Sequence, residues 1–136
     1  MMTDQEQHRP QRKVGDLIAP SPVVVQAEIP LADVAATLDH FDVSGVPVVD
    51  RGGRVVGVIR GLDIDRLRGG SLATSDWRDL LARDLMTYPA IAIPESGSLL
   101  EAARLMTEHG VHLLVVVAEH DGRPIGVIST SDVARG

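Results

Sequence analysis

The chain has 136 residues, 44% of them hydrophobic, and a formal net charge of −6. That suffices for one compact unit, or two small ones sharing a core, but not for two domains with independent cores. The absence of cysteine excludes disulfides, thiolate metal sites and cysteine nucleophiles, and makes a reducing compartment the simplest home. The acidic balance, with Phe41, Trp77 and Tyr88 as the sole aromatics, argues against a nucleic-acid binder, which needs a basic face and stacking platforms.

Residues 1 to 13, MMTDQEQHRPQRK, are polar and lack an apolar signal core, so a disordered tail is expected. No later apolar run reaches the roughly 20 residues needed to span a bilayer. A soluble, cytoplasmic protein without membrane contact is the expectation. Val23 to Val25 then form a short β-prone run, and Leu31, Val34, Ala35 and Leu38 recur at helical spacing. Pro30 and Asp42 mark the ends of that helix only weakly. The runs VPVV and VVGVI, joined by DRGGR, have the signature of a hairpin with glycine at its turn, and a second helix is expected from Gly61 or Leu62.

Gly69, Gly70 and Ser71 look like a loop, after which Ser75 or Asp76 is placed to cap a helix carrying Trp77, Leu80 and Leu81. Trp77 is either an interface anchor or a residue packing this linker onto the core. The pattern then begins again. Ala90 to Ile93 are β-prone, and Leu99, Ala102, Ala103 and Met106 share a helix face. Ser98-x-x-Glu101 is a capping-box pattern, and Gly110 is placed to end the helix in the left-handed conformation. LLVVV, AEHDGR and PIGVI form a second hairpin, and a last helix is expected just after Ser129.

The two halves are copies of one unit. VGDLIAPSPVVV from residue 14 answers ARDLMTYPAIAI from 82, and LADVAATLDHFDV from 31 answers LLEAARLMTEHGV from 99, both at an offset of 68. One residue added in the second turn sets GRVVGVIRGLDI from 53 against GRPIGVISTSDV from 122. Residues 14 to 68 and 82 to 136 are thus the two copies, with 69 to 81 as linker, and each copy reads β-α-β-β-α. So small a unit cannot cover both faces of a three-stranded sheet, whereas two copies packed sheet to sheet can.

Candidate chemistry is sparse. His109, His112 and His120 lie within a dozen residues, but without a defined third ligand spacing they do not make a metal site. No nucleophile elbow, phosphate-binding loop or paired carboxylates suggest an enzyme. What remains is Ser129-x-x-Asp132, for which two roles stand open. Hydroxyl and carboxylate can cap the last helix reciprocally, contributing on the order of 1 kcal/mol. Alternatively the free amides there attract an anion, and the carboxylate accepts hydrogen bonds from two neighbouring hydroxyls of a sugar.

The tandem order of DLIAPSPVVV, a helix, SGVPVVD, GRVVGVI and an x-x-Asp turn, covering residues 14 to 134, resembles the cystathionine-β-synthase (CBS) domain pair, also called a Bateman module. The resemblance implies an α/β (α+β) fold of two repeats packed with pseudo-twofold symmetry, a homodimer, and regulation without catalysis. It implies binding of AMP, ADP, ATP or S-adenosylmethionine between the repeats, with the bound state passed to an unknown effector protein. The family's nucleotide motif is matched in the second copy by Gly126, Val127, Ile128, Ser129, Thr130 and Asp132. There the hydroxyl resembles a phosphate contact and the carboxylate a ribose contact, with adenine expected against Tyr88, Ala90, Ile91 and Leu114. The first copy keeps Val46, Pro47 and Asp63, but Arg60 stands where the hydroxyl belongs, either to meet a phosphate or to block the cleft. The second copy in turn has Leu113 and Val115 in place of the family's Gly-x-Pro. These departures leave open an alternative, a ligand-free structural or protein-interaction dimerisation module.

Overall fold

The computed structural model describes residues 12–18, 23–69 and 76–136. The tail before residue 12, Gly70, Ser71 and the Ser75 cap lie outside the described residues. The first copy contributes helix α1 (Val14–Leu17), strand β1 (Val25–Gln26), helix α2 (Leu31–Phe41), strands β2 (Gly45–Val49) and β3 (Val55–Arg60), and helix α3 (Gly61–Gly69). The second repeats them as α4 (Ala82–Leu85), β4 (Ala92–Pro94), α5 (Leu99–His109), β5 (Leu113–Val117), β6 (Pro124–Ser129) and α6 (Thr130–Arg135). A 3₁₀ turn at Trp77–Asp79 lies between them, its start capped by the Asp76 side chain.

Each copy builds one mixed sheet. Strand β1 runs parallel to β2 and β2 antiparallel to β3, with β4, β5 and β6 repeating the order. A parallel pair needs a crossover, supplied by α2 and α5, whereas an antiparallel pair needs only a tight turn. Both turns are set by aspartate: Asp50 Oδ1 accepts from the amides of Gly52 and Arg54, and Asp121 Oδ1 from that of Arg123. The long helices end alike, with Asp42 at φ 52° and Gly110 at φ 63°, both left-handed. Aspartate is one of the few side chains that tolerates this region, so the first copy's weakly marked helix end does the work of a glycine.

Strand parity decides what each residue meets. Val46 and Val48 face a first core with Leu31, Val34 and Ile59. Leu114 and Val116 face a second with Ala102, Met106 and Ile128. The opposite faces meet each other, and Val58, Leu113 and Val115 form a third cluster between the sheets. Trp77 is 8% exposed and packs in the first core, with the Arg68 and Arg78 guanidinium groups 5.0 and 5.2 Å from its ring centre. Leu80, expected beside it, is exposed instead.

The short helices are exchanged. Val14 of α1 is fully buried in the second copy's core, and its amide donates to the Gly97 carbonyl at 2.8 Å. Ala82 of α4 is buried in the first copy's core and donates to the Ile29 carbonyl at 2.9 Å. Just beyond α4, Thr87 and Val58 exchange backbone hydrogen bonds and close the outer edge of β3. Over these helices the sequence repeat and the packed unit do not coincide, and the copies are locked by reciprocal insertion.

Candidate functional site

Strand pairing within each copy and helix exchange between copies leave two clefts related by the pseudo-twofold axis. Strand β2 lies against β6. This brings the loop before β2 in the first copy to the end of β6 in the second. The resulting cavity, of about 340 Å³, is lined by Ile18, Val23, residues 41–45, Pro47, Gly126, Val127 and Asp132. The other cleft measures about 110 Å³ and is lined by Val58, Arg60, Thr87, residues 89–91 and residues 110–113. Each cleft therefore draws one wall from each copy.

This distribution rearranges the expected site. Grouping by copy put Asp132 with Tyr88, Ala90, Ile91 and Leu114. In the structure Ala90 and Ile91 line the Arg60 cleft instead. Leu114 is fully buried in the second core, one strand position out of phase with the cleft-facing Leu113. Tyr88 is 71% exposed and lines neither cavity. Val46 points into the first core at 1% exposure, and Pro47, its neighbour of opposite parity, reaches the Asp132 cleft. Phe41, Asp42 and Ser44 were missed by the sequence reading. Their signal was position alone, since they lie at the end of α2 and just beyond it, at the mouth of Gly45-x-Pro47.

At the start of α6 the capping reading is met in full. The Ser129 hydroxyl accepts from the Asp132 amide at 3.2 Å, while Asp132 Oδ2 accepts from the Ser129 amide at 2.8 Å and the Ser129 hydroxyl at 2.9 Å. The other oxygen, Oδ1, accepts from Arg135 at 2.5 Å, an arginine side chain 75% exposed on the last turn. Asp132 nonetheless remains on the cavity wall. Thr130 is exposed, with its amide donating to the His112 carbonyl. In the other cleft Asp63 accepts from the Arg60 amide and from its guanidinium, at 3.2 Å and 3.0 Å. Arg60 lines that cavity and Asp63 does not.

On the wall of the Asp132 cleft a glycine permits a close approach between the copies. A Cβ at Gly45 would stand 2.9 Å from Leu113 Cδ2 and 3.0 Å from the Ile59 carbonyl oxygen. Gly45 and Leu113 are equivalent positions of the two copies facing each other across the axis. The side chain of one projects where the other leaves room.

The sequence profile of the CBS domain matches residues 14–69 and 82–136. Among curated relatives, the inosine-5'-monophosphate dehydrogenase of Bifidobacterium longum is 32% identical over 115 residues, covering 84% of this chain and 20% of that enzyme. The chain thus spans about a fifth of that relative's length. Among solved structures, the CBS domain of a CBS-domain-containing membrane protein from Sphaerobacter thermophilus superposes with a TM-score of 0.73 at 28% identity, covering 97% of this chain and 95% of that one. CBSX2, a CBS-pair protein of Arabidopsis thaliana, solved in complex with AMP, gives 0.66 at 31% identity over 90% of this chain and 93% of that one.

Proposed function

Because the chain belongs to the CBS domain family, we propose that it is a regulatory module holding an adenosine-containing ligand in the Asp132 cleft, without chemistry on that ligand. One observation carries this: Gly45 and Pro47 of the first copy and Gly126, Val127 and Asp132 of the second, drawn from the halves that keep the family pattern, line one cavity of about 340 Å³. That volume lies within the range of about 300–1,000 Å³ usual for small-molecule sites. Ile18, Val23, Phe41 and Pro47 supply apolar walls for a purine. Asp132 accepts from the ribose hydroxyls, which displace the exposed Arg135 from Oδ1 at little cost, since such surface pairs contribute about 0–1 kcal/mol. Arg135, released from Oδ1, is then free to meet a phosphate beside Asp132, the role the family pattern gives to Ser129 and Thr130.

AMP is the first candidate, supported by the AMP complex of CBSX2; ADP, ATP and S-adenosylmethionine share its adenosine part. Binding biases one relative arrangement of the two copies, and a separate effector protein reads it. Leu62 and Leu100, 50% and 62% exposed on helices, supply apolar contact area for a homodimer. The ligand-free alternative has its own support: both oxygens of Asp132 already have partners within the chain.

Thermal unfolding at fixed protein concentration separates the two. A ligand at about 100 times its dissociation constant adds roughly 2.7 kcal/mol to native stability. A rise in Tm with one adenosine compound, lost in Asp132→Ala, supports the sensor. No rise with any of them, and a variant that is merely less stable, leaves Asp132 a helix cap.

A further inference from the structure

The two clefts differ at both walls, and the differences fall on the same side. Where the Asp132 cleft has Gly45, the other has Leu113; where it has the carboxylate of Asp132, the other has Arg60, the sequence counterpart of Ser129, in place of Asp63. We propose that the Arg60 cleft is closed to nucleosides by the chain's own guanidinium, so that each chain holds one adenosine-containing ligand and not two. This rests on the reading of the Asp132 cleft as the ligand site.

Arg60 Nη2 donates to Asp63 Oδ1 at 3.0 Å, its Nε to Oδ2 at 3.4 Å, and its backbone amide to Oδ2 at 3.2 Å. Asp63, the counterpart of Asp132, is thereby committed on both oxygens and withdrawn from the cavity wall. The residue that lines this cavity is Arg60 and not the carboxylate that would accept from a ribose. Arg135 also pairs with its aspartate, but from the surface: its side chain is 75% exposed, against 28% for Arg60 and 15% for Asp63. A ligand exchanges the first pair for solvent contacts readily. Breaking the second leaves a half-buried charge without its partner, which is far more costly. Leu113 narrows what remains, and about 110 Å³ is well below the usual ligand range of about 300–1,000 Å³.

The test is titration calorimetry with AMP on the whole chain, in four forms: unmodified, Arg60→Ser, Asp132→Asn, and the double variant. Serine returns to Asp63 the hydroxyl that Asp132 has from Ser129, and asparagine keeps an acceptor for the Ser129 amide, so both changes spare the helix starts. One AMP per chain is expected in the unmodified protein and two in Arg60→Ser, the second at least tenfold weaker because Leu113 remains. Asp132→Asn should weaken binding at least tenfold, and the double variant should keep the second, weaker event. Two AMP per chain in the unmodified protein overturn the proposal. So does a single event in Arg60→Ser that Asp132→Asn weakens without leaving another. If the unmodified chain binds none but Arg60→Ser binds one, the closure stands and the assignment of the Asp132 cleft falls. No binding in any form overturns both.

Discussion

Replacing Val14 by alanine tests the exchange of short helices on which both clefts depend. Val14 is fully buried, among residues of the other copy such as Ile93 and Met106. Two methyl groups are lost, at about 0.8 kcal/mol per buried carbon, and incomplete closure of the space adds to that, so a loss of about 2 kcal/mol is expected. For a chain of this size that lowers Tm by roughly 6–10 °C. Urea denaturation should show a lower midpoint at unchanged slope, because the surface exposed on unfolding is nearly the same. Amide chemical shifts should move around Ile93 to Gly97, where α1 docks, and not around Leu38 or Ile59 of its own copy. A loss below about 0.5 kcal/mol, or shift changes confined to the first copy, would refute reciprocal insertion.

Trp77→Ala should cost about 3–5 kcal/mol, since the ring is buried in the first core, and urea unfolding followed by circular dichroism would show it. The same tryptophan is the only one in the chain, so its fluorescence should be blue-shifted in the native state and move to longer wavelength on unfolding. At the two left-handed helix ends, opposite signs are expected. Gly110→Ala should destabilise by about 1 kcal/mol, while Asp42→Gly should be neutral or stabilise by up to about 1 kcal/mol, both read from thermal melts. Gly57→Ala should destabilise by about 1–3 kcal/mol, because the new Cβ would stand 2.6 Å from Met86 Sδ and 2.9 Å from the Thr87 carbonyl oxygen. Faster hydrogen exchange at the amides of Thr87 and Val58 would locate that strain.

The strands, long helices and hairpins were legible because each is a local pattern: Leu31, Val34, Ala35 and Leu38 are all buried as their spacing required, and Ser98 caps α5 through its hydroxyl. The capping side of Ser129-x-x-Asp132 was equally local. The composition of the clefts was not, because it follows from where α1 and α4 dock, and nothing in VGDL or ARDL says which copy they will pack against. Leu114 and Val46 show a different failure. Both were placed in a cleft although period-two alternation, applied from Leu113 and Pro47, already turns them to the helix side. The pairing of Arg60 with Asp63 was not foreseen, because it depends on the rotamer of a long side chain for which the sequence reading weighs only a phosphate contact or a blocked cleft.

The mixed parentage of each cleft makes the pairing of two unlike copies matter more than the content of either. A chain assembled from two first copies would set Gly45-x-Pro47 opposite Arg60 in both clefts, and one assembled from two second copies would set Asp132 opposite Leu113 in both. Neither would have a cavity with both intact halves of the family pattern. Only the unlike pair gathers the two sound halves on one side and both departures on the other, so that a chain with no complete copy still has one complete cleft.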